Sequence, residues 1–309
     1  MSLVTTYNFA AFIITRNRPY TLVSTISTVL NQTLPPECIL IVDNSNLDNT
    51  RKRIATLKNE KLIYHSVGYN SGPAGGAYWG LKLLFEKGYN WVLWIDDDDP
   101  PKFLDVFEKL FQIVEDNDSP DLGMVGCVGE RFDYQRAKII RLKDQELKGY
   151  LDVDTISGNM FPLVNRRVFE KGILPSKDFF FGFEDLGFSL TVKRNGFRIM
   201  TSGDLHFEHR DLANRLNLNK KHHHKRSSDS LWREYYSVRS ITYILLHQEK
   251  KWNATLISVL RNLCKALFVF RYGLTYGKVA SFMIIRGLWD GVFERLGMRI
   301  TPLNKLLAS

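Results

Sequence analysis

The sequence predicts an α/β fold with a mostly parallel sheet and a C-terminal helical extension. Three observations lead there. Strand and helix signals alternate through the first hundred residues, each early strand candidate runs into a polar or glycine-rich turn, and apolar helical stripes with surplus basic charge fill the last quarter. Strands separated by helices become parallel neighbours, with functional loops at their carboxyl ends. The expected division is residues 1–230 for the α/β domain and 231–309 for a basic, amphipathic extension.

The first elements are a strand in "NFAAFIITRNRP" and an amphipathic helix, "YTLVSTISTVLNQTLPP", closed by two prolines. "ECILIVDNSN" is a short apolar run ending in turn formers; a polar helix near 48–58 and a strand, "KLIYHSV", follow. "GPAGGAYWGLKLLFEKGY" starts glycine-rich, becomes helical and stops at Gly88, and "NWVLWID" is the fourth strand. Beyond a helix at 102–116 come a strand in "GMVGCVGE", a polar hairpin-like stretch to about 155, and "FFFGFEDLGFSLTVKRNGFRIM", an acidic loop feeding a helix and a strand. Residues 211–230 read as a loop; 231–248 and 252–296 read as helical, the latter with Leu256, Val259, Leu260, Leu263, Leu267 and Phe268 on one stripe.

With 44% hydrophobic and 24% charged residues, the 309-residue chain can bury a core, which excludes global disorder. Its net charge of +9 is unevenly placed: residues 211–309 hold 17 Lys and Arg against 6 Asp and Glu, whereas the first 210 are slightly acidic. Such a block suits an anionic partner. Cys38, Cys127 and Cys264 lack paired spacing, which argues against a disulfide framework or structural zinc and for a reducing compartment. "FAAFIIT" reads as a first strand, not as a secretory signal, and charges are expected to interrupt every C-terminal run of membrane-spanning length.

"NWVLWIDDDDPP" places Asp96, Asp97, Asp98 and Asp99 where a strand leaves the core. Adjacent carboxylates repel one another unless a cation or water compensates them, and alternate aspartates can share one oxygen-ligated divalent ion that neutralises a diphosphate. A solvated loop is the bland alternative. "GFEDLGF" brings a second carboxylate pair, for which helix capping is the alternative. The triplet at 222–224, in a lysine-rich loop without an apolar frame, is rejected as a metal site.

The ordered stretches "ITRNRPYTLVSTISTVLNQT", "ILIVDNSNLDNT", "YNSGPAGGAYWGLK", "WVLWIDDDDP" and "FFFGFEDLGFSLTVKRNGFRI" resemble the family-2 inverting glycosyltransferases, which have the GT-A fold; the resemblance runs over about residues 9–245. Within that family the narrower resemblance is to bacterial rhamnosyl- and galactofuranosyltransferases of surface polysaccharides such as O-antigen. It implies that Thr15 and Asp43 line a nucleotide pocket, a plain strand-to-turn junction in "VDNS" being the alternative, and that Asn70, Gly72, Gly75 and Gly76 form the glycine-rich turn beside the donor diphosphate, a purely structural turn being the alternative. It further implies that Asp96 and Asp98 hold Mn²⁺ or Mg²⁺, with Asp97 beside the donor; Asp97 and Asp99 make an equally spaced pair, so the register stays open. Asp185 is implied as general base and Glu184 as an acceptor-positioning neighbour. The metal-binding histidine is implied at His209, 24 positions after Asp185 on the following strand, with His206 as a satisfied neighbour or substrate contact. Tyr236 and Arg239, in "SLWREYYSVRS" with Tyr235, resemble acceptor-binding residues, ordinary helix packing being the alternative.

The expected function is therefore metal-dependent inverting transfer of a sugar, galactofuranose or rhamnose, from a UDP- or dTDP-linked donor to a lipid-diphosphate-linked glycan. The expected location is cytoplasmic and peripheral, on the inner face of the cell membrane, with the stripe lying on anionic lipid; packing on the domain and a homo-oligomer surface are its alternatives. A nucleotidyltransferase would carry a glycine-rich loop with an Arg or Lys directly after the first strand, and "ITRNRP" lacks the glycines. Nucleic acid is not an expected partner, since a nucleic-acid binder would need aromatics interleaved with charge on an accessible face.

Overall fold

A computed structural model describes residues 7–217 and 225–301, so the histidine triplet at 222–224 lies outside the described residues. The first half is βα alternation: β1 (Phe9–Thr15), α1 (Pro19–Leu30), β2 (Ile39–Asp43), α2 (Asn49–Ala55), β3 (Leu62–Ser66), α3 (Gly72–Glu86), β4 (Trp91–Asp96) and α4 (Val106–Asp116). Then come β5 (Leu122–Val125), β6 (Gly129–Asp133), β7 (Lys138–Ile140), β8 (Tyr150–Asp152), β9 (Thr155–Ile156), β10 (Leu163–Asn165), α5 (Arg166–Glu170), α6 (Glu184–Arg194), β11 (Arg198–Ser202) and α7 (Gly203–Leu212). The C-terminal helices are α8 (Trp232–Tyr243), continued by a wider turn over Ile244–Gln248, α9 (Trp252–Phe268) and α10 (Leu274–Val292).

Eight strands form one sheet in the order β3-β2-β1-β4-β10-β5-β11-β8, and β7-β6-β9 form a small second one. β1 pairs in parallel with β2 and β4, and β2 with β3, whereas β10 runs antiparallel between β4 and β5. Both faces are covered, which is why β1 is apolar at every position but the last: Phe9, Ala11 and Ile13 pack with α1 and α4, and Ala10, Phe12 and Ile14 pack with α3. Strands are added outward through β2 and β3 on one side of β1 and then at β4 on the other, so the carboxyl ends of the parallel β1, β2 and β4 open onto one crevice.

Helical segment 252–296 is two helices, not one, because Val269–Tyr272 tightens into a 3₁₀ turn and Gly273 takes φ 107°. α10 lies close against α8: a Cβ on Gly287 would meet the Tyr235 carbonyl at 2.6 Å, and one on Gly291 the Arg239 carbonyl at 2.7 Å. α9 turns its small and polar residues inward (Ala254, Ser258, Asn262, Ala266) and leaves Leu256, Leu260, Leu263 and Leu267 exposed. The expectation about spanning length is corrected: Trp252–Tyr272 is long and apolar enough to cross a membrane by length and composition, because before Arg271 it carries only two charges, Arg261 and Lys265. Both charges are used within the protein. Arg261 donates to the carbonyls of Arg136 and Ala137, at 2.8 Å each, and Lys265 pairs with Glu234.

Candidate active site

The crevice is built on the end of β4. Asp96 closes the strand, half-buried, and Asp97 behind it is fully buried. Asp97 is held by Thr15 at the end of β1, whose hydroxyl donates to its Oδ2 at 2.6 Å, and by Arg18, whose Nε donates to the same oxygen at 3.1 Å. Arg18 also pairs with the exposed Asp98. Asp99 turns the other way, accepting from Asn159 Nδ2 at 2.9 Å and pairing with Lys102 Nζ at 2.8 Å. The four aspartates thus serve different neighbours.

Glu184 and Asp185 enter from α6. Phe183, at φ 63°, turns the chain sharply into the helix, so both carboxylates sit in the first turn, where the helix dipole favours negative charge. Asp185 Oδ1 accepts from the Leu186 N–H at 2.7 Å and Oδ2 from the Gly158 N–H at 3.2 Å, which fixes the carboxylate plane. One buried oxygen of Glu184 has no hydrogen-bond partner. Burial, with Asp98 and Asp97 beside it, pushes Asp96 up to about 7; burial, with Asp185 and Asp96, pushes Glu184 to about 8; Asp185 is likewise raised by burial. Asp97 rises to about 6, burial outweighing its donors Thr15 and Arg18. Carboxylates from β4 and α6, almost ninety positions apart in sequence, therefore feel one another in one partly dry crevice.

The nucleotide-side residues are placed as follows. Asp43 is fully buried, its oxygens accepting at 2.8 Å each from the Ser45 N–H and the Tyr64 hydroxyl. Asn70 accepts from the Gly72 N–H at 3.3 Å. The turn glycines are structural: Gly72 has φ 69° and a Cβ there would fall 1.9 Å from the Phe180 carbonyl oxygen, one on Gly76 would fall 2.6 Å from the Ile14 side chain, and one on Gly75 would meet Ser71. Chain crossing and helix-to-sheet contact are enough to demand glycine at these positions.

Two further expectations are corrected. His206 and His209 lie on α7, not on a strand, because β11 ends at Ser202, whose side chain caps the helix. His209 Nδ1 bonds the Leu205 carbonyl at 3.0 Å and its buried Nε2 is free of partners; it lines a cavity of about 420 Å³ with Asp99, Asn159, Glu130 and Arg210. The structure therefore brings His209 to Asp99, not to the Asp96–Asp98 pair. His206 is fully buried with both ring nitrogens unpartnered, and burial drives its pKa down to about 3, so it is neutral. Tyr236 and Arg239 are fully buried and cannot meet an acceptor: Arg239 donates to the carbonyls of Phe179 and Gly297, and the Tyr236 hydroxyl donates to the Ile300 carbonyl. They bolt α8 to the loop before α6.

Sequence reasoning missed Arg18, Asn159 and Glu130. Arg18 stands in the quoted "ITRNRP", but its partner is 79 positions away; Glu130 is pushed upward by burial and by Asp185, a proximity created only by the second sheet. Among the described residues no three His, Cys, Asp or Glu side chains close around a common point.

Residues 10–173 match the profile of glycosyl transferase family 2. The chain belongs to this family. A family-2 glycosyltransferase accounts for an acidic crevice at the carboxyl edge of a parallel sheet. A galactofuranosyltransferase, GlfT1 of Mycolicibacterium smegmatis, is 24% identical over 157 residues, which covers 49% of this chain and 51% of that protein; the match spans about half the length of this relative. Two solved structures share the fold at 13% identity and a TM-score of 0.55. They are the mannosyltransferase PcManGT of Pyrobaculum calidifontis, solved with GDP-mannose and Mn²⁺ (94% of this chain, 89% of that one), and S. aureus TarS 1–349 (93% and 82%). The GT-A glycosyltransferase fold with added C-terminal helices is thereby shown for this family member.

Proposed function

We propose that this glycosyltransferase moves galactofuranose or rhamnose, by metal-dependent inverting transfer, from a UDP- or dTDP-linked donor to a lipid-diphosphate-linked bacterial surface glycan. The observation that carries the chemistry is the meeting of Asp96, Glu184 and Asp185 in one crevice, each raised above the usual carboxylate range. The galactofuranosyltransferase relative supports the sugar class, and the Mn²⁺-bound mannosyltransferase neighbour supports a nucleotide donor and a metal.

The residues fit a divalent cation. Crowded carboxylates with an unpartnered buried oxygen gain from a positive charge, and a histidine that engages a carbonyl through Nδ1 presents Nε2 as a ligand. Asp96 and Asp98 would hold it, with His209 and Asp99 at the neighbouring wall. Bound there, such an ion would supply charge stabilisation for a departing diphosphate. Asp185, oriented by two backbone N–H groups, takes the proton of the attacking acceptor hydroxyl, and a single displacement inverts the anomeric centre. Glu184 beside it receives the acceptor.

The outward stripe of α9, with the exposed Phe282, Ile285 and Trp289 of α10, supports a peripheral position on the cytoplasmic membrane face. The deciding experiment incubates the enzyme with UDP-galactofuranose and dTDP-rhamnose in Mn²⁺ or in chelator and measures nucleoside diphosphate release and thermal protection. Release confined to Mn²⁺ is expected; equal release in chelator, or protection by neither donor, overturns the reading.

A further inference from the structure

Between α8, α9, α10 and the β6–β7 hairpin lies a cleft of about 1080 Å³, separate from the cavity at His209. Its floor is apolar, formed by Leu231, Val238, Ile241, Val269, Ala280 and Ile284. Its rim is cationic. Six Lys and Arg side chains line it against one acid, Glu234, and that acid is already shared by Arg226 and Lys265. Lys138, Lys225 and Arg271 have no acidic partner among the described residues. Lys225 Nζ stands instead 4.6 Å from the Tyr276 ring centre and 5.6 Å from that of Tyr272, a pocket that holds a charge at the lip.

Two features tie this cleft to the crevice and to the surface. Phe183 lines it and is the residue directly before Glu184 and Asp185, so the cleft shares the turn that carries these two carboxylates. At the outer end, Phe268 lines the cleft and is itself exposed, continuing the apolar face of α9. An apolar floor beneath surplus cations matches a molecule that joins a phosphate to an aliphatic chain; inorganic phosphate would leave the floor wet, and a neutral lipid would leave the rim uncompensated.

We infer that this cleft binds the phosphate-bearing end of an aliphatic lipid, and so seats the carrier of the acceptor beside Asp185. The inference rests on the proposed lipid-linked acceptor and adds where it binds. Cations at the lip hold the diphosphate, the floor takes the first part of the chain, and the remaining chain leaves past Phe268 along the exposed face of α9.

Cys264 supplies the readout: it lines the cleft and is exposed, whereas Cys38 and Cys127 are buried. The full chain, kept in chelator so that no cation in the crevice captures a diphosphate, is titrated with farnesyl diphosphate, farnesol or inorganic pyrophosphate while maleimide labelling of Cys264 is followed. Farnesyl diphosphate should slow labelling at a concentration at least about tenfold below either of the others. The Lys138→Ser/Lys225→Ser/Arg271→Ser variant should need about tenfold more, with Lys225→Glu as a single-site check should the triple variant melt early. Equal protection by pyrophosphate or by farnesol, or unchanged protection in the folded variants, overturns the inference. Mn²⁺-dependent nucleotide-sugar binding, measured on the same preparation, separates the readings. Its loss counts against the proposed donor and metal; its retention with no protection of Cys264 counts against the cleft alone.

Discussion

Arg18 Nε and Thr15 Oγ1 converge on one oxygen of Asp97, at 3.1 and 2.6 Å, so the loop after β1 and the end of β4 are closed on each other by a buried carboxylate. Arg18 is about half exposed and also grips Asp98, the aspartate with the most open side chain of those it touches. It therefore competes with any cation for the same oxygens. Replacing Arg18 by Ala should tighten Mn²⁺ binding to the donor-free protein by several-fold, read by calorimetric titration; weaker binding would mean that Arg18 positions the aspartates instead of shielding them.

Thr15→Val leaves the buried Asp97 with one donor fewer. The expected loss of stability is about 1–3 kcal/mol by urea unfolding. Thr15→Ser, which keeps the hydroxyl, should recover most of it.

Asp185→Asn keeps the shape and the contacts with Gly158 and Leu186 but removes the base. Transfer should fall by roughly 10² or more while Mn²⁺-dependent donor affinity stays within about twofold. A parallel collapse of donor affinity would make Asp185 a binding residue.

Asp96 at about 7 and Glu184 at about 8 have a definite pH consequence. Their unfolded-state values lie near 4, so each favours the folded chain fully below about pH 4, and that contribution is lost as pH rises through the folded values. Metal-free protein should melt progressively lower from pH 5 to pH 8.5, and Mn²⁺ should raise the melting temperature more at pH 8 than at pH 5.5. An equal Mn²⁺ shift at both values would place the ion elsewhere.

Arg239→Ala should cost about 1–3 kcal/mol or more, because the Phe179 and Gly297 carbonyls lose their donor, and should lower activity through fraction folded alone. A raised acceptor KM in a fully folded variant would restore a direct acceptor role.

The sheet and the acidic crevice were largely legible because they rest on local patterns: β1, β2 and β4 are short apolar runs ending in turn formers, and Asp96 and Glu184 follow a strand and open a helix. What was hidden depends on partners distant in sequence. "GPAGG" carries the same letters whether a diphosphate or the Phe180 carbonyl approaches it, and only the fold shows the carbonyl. For Tyr236 and Arg239 the sequence left acceptor contact and ordinary helix packing open, because it does not show that α8 is covered by α10 on one side and by the loop before α6 on another. His209 was placed on a strand because its helix is short and carries little apolar periodicity.

The crossing of Gly72 beneath Phe180 also bears on how freely such enzymes exchange parts. Segment 177–183 touches α3 through the Phe180 carbonyl, receives Arg239 of α8 at the Phe179 carbonyl, and ends on the residue that turns into Glu184 and Asp185. It behaves as a splice between the nucleotide half and the C-terminal helices. A chimera that grafts α8–α10 onto another sheet would have to bring this segment and a glycine at position 72 with it, so the helices and the turn that carries Glu184 and Asp185 move as one piece and not as an interchangeable tail.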